Sequence, residues 1–170
     1  DIVIPSNFST SNTIFIATGD RDGFHNYSVG VLKSTNGGQT WQTTGLNFLL
    51  PDFYIVYRLI LSASNNQHLY AATNGGVYKT LNGGTTWTKI SNLIFKDMEF
   101  SPGNVNTLYG ATTSGQVYVS YNAGEGDWAK SLELDKGQRV ELAVSPAEQF
   151  RVYALVANQD GGFEGLYRSD

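Results

Sequence analysis

The sequence predicts an all-β fold, a β-propeller of four-stranded antiparallel blades, with about four blades present as part of a larger propeller. Three observations carry this expectation. An eight-residue box, Ser34-Thr35-Asn36-Gly37-Gly38-Gln39-Thr40-Trp41, returns as Thr80-Leu81-Asn82-Gly83-Gly84-Thr85-Thr86-Trp87. It returns again, one residue longer and degraded, as Ser120-Tyr121-Asn122-Ala123-Gly124-Glu125-Gly126-Asp127-Trp128. The tryptophans stand 46 and 41 residues apart, and self-similarity at such a period marks a propeller, solenoid or array. Short β-rich runs split by Gly, Asn and Ser clusters surround each box, and no stretch shows sustained helical periodicity.

Taken in chain order, each unit reads as strands A, B and C, the box, then strand D. Strand A is Asp1-Ile2-Val3-Ile4-Pro5 in the first unit, and runs after Tyr57-Arg58, from Asp97 and from Arg139 in the next three. Strand B is an apolar-aromatic pair followed by small residues: Ile14-Phe15-Ile16-Ala17-Thr18, Leu69-Tyr70-Ala71-Ala72-Thr73, Leu108-Tyr109-Gly110-Ala111-Thr112 and Val152-Tyr153-Ala154-Leu155-Val156. Strand C alternates just before the box: Gly30-Val31-Leu32-Lys33, Gly76-Val77-Tyr78-Lys79, Gln116-Val117-Tyr118-Val119 and Gly165-Leu166-Tyr167-Arg168. Four strands per unit of about 40–45 residues fit a propeller blade. The expected blades are approximately 1–45, 55–91, 96–131 and 139–170, the last incomplete, forming one partial propeller.

The residues of the box explain themselves without a ligand. The chain must reverse tightly between strands C and D, where Gly38, Gly84 and Gly124 take positive φ at little steric cost. The Asn36, Asn82 and Asn122 side chains can bond backbone groups further on, as in an Asx-turn. Ser34, Thr80 and Ser120, with the later Thr40 and Thr86, close further bonds. Trp41, Trp87 and Trp128 then place apolar area between neighbouring blades, each indole N–H seeking one partner. The boxes read as staples.

These residues are similar to the Asp-box, or bacterial neuraminidase repeat, Ser/Thr-x-Asp-x-Gly-x-Thr-Trp. The chain resembles that propeller superfamily, which includes sialidases, xyloglucan-cleaving glycoside hydrolases and sortilin-like receptors. A closer resemblance is to sortilin-like propellers of large secreted Bacteroidetes proteins. It is carried by Ala17-Thr18-Gly19-Asp20 with Gly30-Val31-Leu32-Lys33-Ser34, by Asp97-Met98-Glu99-Phe100-Ser101-Pro102-Gly103, and by Phe163-Glu164-Gly165-Leu166-Tyr167-Arg168-Ser169. One departure is uniform: all three boxes carry Asn where the family usually has Asp. The resemblance implies a secreted or cell-surface location.

Composition bounds the chemistry. The 170 residues contain no cysteine, which excludes a disulfide framework and a thiolate metal site. Charged residues make up 15% and the net charge is −4, which argues against a nucleic-acid footprint. No apolar run approaches membrane-spanning length, so no membrane insertion is expected. Three Trp, ten Tyr and nine Phe supply a substantial core. The sequence reads as interior blades of a longer protein, with the remaining blades of the same parent chain as expected partners.

Candidate sites follow from which end of the blades each loop occupies. In the usual propeller path the boxes lie on one face, and the B–C and D–A loops emerge on the other, where the superfamily places ligands. The first B–C loop is a long insertion, Gly19-Asp20-Arg21-Asp22-Gly23-Phe24-His25-Asn26-Tyr27-Ser28, which blade two replaces with Asn74-Gly75. Blade four has Asn158-Gln159-Asp160-Gly161-Gly162-Phe163-Glu164, and the first D–A loop is aromatic, Asn47-Phe48-Leu49-Leu50-Pro51-Asp52-Phe53-Tyr54. Polar insertions on loops are commonly functional.

One expectation is a non-catalytic recognition module for a carbohydrate or protein. Its ligand-binding candidates are Asp20, Asp22, His25, Tyr27, Asp52, Phe53, Tyr54, Asp160, Phe163 and Glu164; the alternative is that these aromatics pack their own loops. A glycoside hydrolase would need two carboxylates about 5–9.5 Å apart, with Asp20, Asp22, Asp52, Asp97 and Asp160 as candidates by face. A sialidase would need three arginines around a substrate carboxylate, and only Tyr57-Arg58-Leu59-Ile60 is similar to its arginine motif, without the proline. Asp20-x-Asp22-x-x-His25 offers oxygens that suit calcium, but its histidine argues against one, and no cofactor is otherwise expected. Along the inner strands Asp97 and Glu99, and Arg139 and Glu141, share faces and can bind a polar ligand or pair across blades.

Overall fold

A computed structural model describes residues 1–22, 26–135 and 137–169. It is almost entirely β: four antiparallel sheets follow one another along the chain, and in each of them sequence neighbours are also sheet neighbours. The chain divides into two compact units, Asp1–Ile94 and Phe95–Asp170.

The first unit holds two four-stranded sheets. One comprises β1 (Ile2–Val3), β2 (Ile14–Ala17), β3 (Gly30–Ser34) and β4 (Gln42–Asn47). The other comprises β5 (Val56–Leu61), β6 (Leu69–Thr73), β7 (Gly76–Thr80) and β8 (Thr88–Ser91). The second unit holds β9 (Asp97–Ser101), β10 (Asn104–Ala111), β11 (Gln116–Ser120) and β12 (Ala129–Glu133) in one sheet. Its other sheet is three-stranded: β13 (Gly137–Ser145), β14 (Glu148–Asn158) and β15 (Phe163–Arg168). Two short elements escape a periodicity reading. A four-residue helix, α1 (Phe8–Ser11), fills the β1–β2 turn, and a 3-10 turn spans Leu50–Asp52. Neither is long enough to show a period.

The repeat is a repeat of register. Phe15 faces Lys33, Tyr70 faces Lys79, Tyr109 faces Val119 and Tyr153 faces Arg168, each on the same rung. The Lys33 and Lys79 ammonium groups lie 5.4 and 5.5 Å from the Phe15 and Tyr70 ring centres, a cation–π arrangement. Equal register gives each unit an equivalent core. In the first, Phe15, Ala17, Val31 and Leu46 of one sheet meet Val56, Leu59, Leu69 and Ala71 of the other. In the second, Ala111 and Val117 meet Val140, Leu142, Val152 and Ala154, with Tyr109 and Leu132 packed against them. Tyr78 flanks the first core and Tyr167 the second. Trp87 also packs on the first.

The boxes turn the chain between the third and fourth strands. Asn36 Oδ1 accepts the Ser34 hydroxyl and the Thr40 N–H, both at 2.9 Å, while its Nδ2 donates to Thr40 Oγ1 at 2.8 Å. Asn82 does the same with Thr80 and Thr86, at 2.9 Å in each bond. Ser34, Thr80 and Ser120 each accept the N–H groups of residues two and four further on. Gly38, Gly84 and Gly124 have φ of 89°, 87° and 78°. Ala123 stands where the other boxes have Gly37 and Gly83, and is held at φ 51°.

The three indoles are all partly buried, but their N–H groups differ. Trp128 Nε1 donates to Gly124 O at 3.1 Å, and its ring lies 4.8 Å from Phe95. Trp87 Nε1 is buried with no hydrogen-bond partner, which corrects the expectation that each finds one. Box and neighbouring sheet touch through backbone. Gly45 N–H on β4 donates to Gly84 O at 2.8 Å, and a Cβ on Gly45 would sit 2.5 Å from Thr85 O.

Candidate functional site

The first unit gathers three loops at the end opposite its boxes. Pro51 and the Asp52 carboxylate shape the β4–β5 connection, where Asp52 Oδ2 accepts the Leu49 N–H at 3.0 Å. The turn ends at Phe53, whose φ of 57° and ψ of 29° are left-handed. A bulky side chain rarely sits there, and such strain persists only when surrounding bonds fix it. Asn74, in the β6–β7 turn, supplies them. Its Nδ2 donates to Phe53 O at 2.8 Å and its Oδ1 accepts the Ile55 N–H at 3.0 Å. Ser28 N–H, from the long β2–β3 loop, donates to Tyr54 O at 2.8 Å.

These bonds set four rings in two pairs. Phe48 and Tyr54 stack at 4.0 Å with 6° between their planes. Tyr54 also lies on Gly75, where any Cβ would come within 2.5 Å of its ring. The neighbouring Tyr78 hydroxyl has its pKa pushed above the usual tyrosine value by burial and by its hydrogen bond with Tyr54. Tyr27 meets Phe53 edge-on at 4.8 Å and 72°. Phe53 is nevertheless 58% exposed, beside Leu49 and Leu50 at 72% and 56%. Phe48 and Tyr54 therefore pack against each other within their loop, whereas Phe53 is held out to solvent.

The acidic candidates serve the backbone first. Asp20 Oδ1 accepts the Asp22 N–H at 3.0 Å, and Asp22 lies 4.0 Å from Arg21 Nε. Asp97 is only 2% exposed: Oδ1 accepts the Met98 N–H at 3.0 Å and Oδ2 the Leu142 N–H at 2.7 Å. It ties β9 to β13 and presents no free carboxylate to a cleft. Arg58 reaches Asp1 Oδ2 at 3.5 Å, and Arg139 pairs with Glu141 at 2.8 Å, both ion pairs within or between inner strands. In the second unit Asn158 Oδ1 holds its loop by accepting from Asp160 and Gly162 N–H at 3.1 and 2.8 Å. Asp160, Phe163 and Glu164 are exposed there. His25 lies outside the described residues. No group of three or more His, Asp or Glu side chains among the described residues is placed to hold a metal ion.

The structure thus brings Tyr27, Asp52, Phe53 and Tyr54 into one cluster. Sequence reasoning missed Asn74 as its organiser, although the Asn-Gly pair at the turn was a readable signal. It also missed the buried role of Asp97, whose partner is 45 residues away.

No protein-family model and no curated protein matches the chain. Solved structures do. An ancestral GH74 enzyme superposes over 99% of this chain with a TM-score of 0.72 at 23% identity. The fold is a β-propeller. The GH74 xyloglucanase of Xanthomonas campestris covers 98% of the chain, with a TM-score of 0.70 at 15% identity. YCF48 bound to a D1 peptide covers 88%, with a TM-score of 0.55 at 16% identity. The chain spans 22% and 28% of the two GH74 chains and 56% of the YCF48 chain. At these identities the likeness shows the fold of the propeller, and its blades are the four sheets described above. No helix among the described residues is long and apolar enough to cross a membrane.

Proposed function

We propose that this chain is part of a secreted or cell-surface Asp-box propeller of the sortilin-like kind, and that it recognises a carbohydrate or a protein segment without catalysis. The observation that carries the reading is Phe53: a large ring, 58% exposed, held by Tyr27, Asn74 and Asp52 in a backbone conformation that costs free energy. A preset exposed ring stacks on a sugar face or receives an apolar side chain with little loss of rotamer entropy. The fold's neighbours support both ligand classes, one being a xyloglucanase and another a peptide complex. Asp20 and Asp52 each accept a backbone N–H, and Asp97 is buried between two of them, which favours structural roles for these three carboxylates over the paired acid and base of a hydrolase.

A glycan array and a peptide array, with turnover assays on xyloglucan and sialosides, test this reading. Binding without turnover, weakened about tenfold or more by Phe53→Ala, is the expected result. Hydrolysis abolished by Asp20→Ala would replace recognition with catalysis.

A further inference from the structure

Around Phe53 the polar side chains are engaged and the exposed ones are apolar. Asn74 is bonded at both ends, to Phe53 O and to the Ile55 N–H, and the Tyr54 hydroxyl is hydrogen-bonded with Tyr78. Leu49, Leu50 and Pro51 stand out to solvent beside the ring. The connection that carries them joins two sheets of four strands each. Contiguous exposed apolar side chains rimmed by polar ones mark an interaction site. Here the rim is acidic. Asp52 directly precedes Phe53, and Asp20 N–H donates to Asn26 O at 2.9 Å, which sets Asp20 at the neck of the loop whose Tyr27 ring meets Phe53. Asp20, Asp22 and Asp52 are all exposed. Asp20 and Asp52 each accept one backbone N–H, and a carboxylate has capacity for several more bonds. Arg21 is the one cation among the described residues of these three loops, and Asp22 lies 4.0 Å from it.

We propose, resting on the recognition reading above, that the occupant of this face is an extended protein segment in which one large apolar side chain is flanked by Lys or Arg. The apolar side chain packs on Phe53 and its leucines, and the flanking cations meet Asp20 and Asp52. A sugar suits the face less well. Its ring could stack on Phe53, but its hydroxyls need hydrogen-bonding side chains placed around that ring, and leucine and proline offer none. An apolar centre with charge kept to the rim is instead the anatomy of a protein interface. Opposite charge at the rim steers the partner and fixes its register.

The probe is a positional-scanning library of N-acetylated hexapeptide amides screened against the full chain, with xylogluco-oligosaccharides titrated in parallel. The selected consensus is expected to hold one large apolar residue with Lys or Arg on both sides. The consensus hexapeptide is expected to lose about tenfold or more in affinity when its apolar residue becomes alanine, and about threefold or more between roughly 50 and roughly 300 mM salt. Phe53→Asn removes the ring yet suits the left-handed backbone, so this variant is expected to melt at or above the parent temperature and to bind about tenfold or more weakly. Asp20→Asn with Asp52→Asn keeps both backbone acceptors and is expected to flatten the salt dependence. A consensus without basic residues, or undiminished binding to folded Phe53→Asn, overturns the proposal. Oligosaccharide binding that Phe53→Asn abolishes, with no peptide selected, overturns it and keeps the recognition reading. Binding of neither ligand overturns both.

Discussion

Asp97 Oδ2 accepts the main-chain N–H of Leu142 at 2.7 Å, joining the inner strand of one blade to that of the next. Asp1 Oδ2 does the same for Leu59 at 3.0 Å, and each aspartate also caps the N–H of its own successor, Met98 or Ile2. The two latches occupy the same register, since Ile2 faces Ile16 and Met98 faces Gly110 on equivalent rungs. Asp97→Ala would strand a buried amide and is expected to cost about 2–4 kcal/mol. Urea unfolding of the variant measures it, and a loss under about 0.5 kcal/mol would show the latch to be dispensable.

The close approach of β4 to the second box gives a paired prediction. Gly45→Ala drives a methyl group into Thr85 O, at 2.5 Å, so the backbone must shift, with a loss of about 1–3 kcal/mol. Ser131→Gly at the matching place on β12 removes only an exposed side chain and is expected to cost about 0.5–1 kcal/mol. Thermal melts of the two variants check the order.

Ala123 offers a gain. It holds φ 51°, where the other boxes have glycine. The left-handed region costs an L-residue about 1–2 kcal/mol, and glycine's extra chain entropy returns about 0.5–1 of that. Ala123→Gly is expected to stabilise by about 0.5–1 kcal/mol, read as a higher denaturation midpoint with unchanged m-value.

Burial raises the pKa of the Tyr57, Tyr78 and Tyr109 hydroxyls above the ordinary value of 10.0. A raised folded value favours the neutral phenol in the folded chain. Its contribution is present in full below pH 10.0 and is lost as pH rises through the folded value. Urea midpoints measured from about pH 8 to about pH 11.5 are expected to stay level to near 10 and then fall. Tyr78→Phe is expected to soften that fall, and an unchanged slope would assign it to other groups.

The strands and corners were legible because they rest on short-range rules. Alternation such as Gly76-Val77-Tyr78-Lys79 shows as a strand wherever it occurs, and Asn82-Gly83-Gly84 specifies its turn within three residues. The uses of Asn36 and Asn82 were half legible. Their acceptor role is general to Asx-turns, but the Nδ2 bond to Thr40 or Thr86 depends on which amide rotamer the folded corner selects. Phe53 was illegible as a strained residue, because its φ is imposed by Asn74 from another loop. Asp97 was misplaced for a related reason: alternation gives a strand residue its face, and only the neighbouring blade decides whether that face meets water or an amide.

The side-chain bonds of Asn36 and Asn82 close their corners with hydroxyls, carboxamides and backbone, and the Lys33 ammonium adds a bond to Gly83 O at 3.1 Å on the second. No carboxylate takes part in those corner bonds. A single change at Asp1 or Asp97 therefore loosens one sheet from the next while every corner keeps its own bonds.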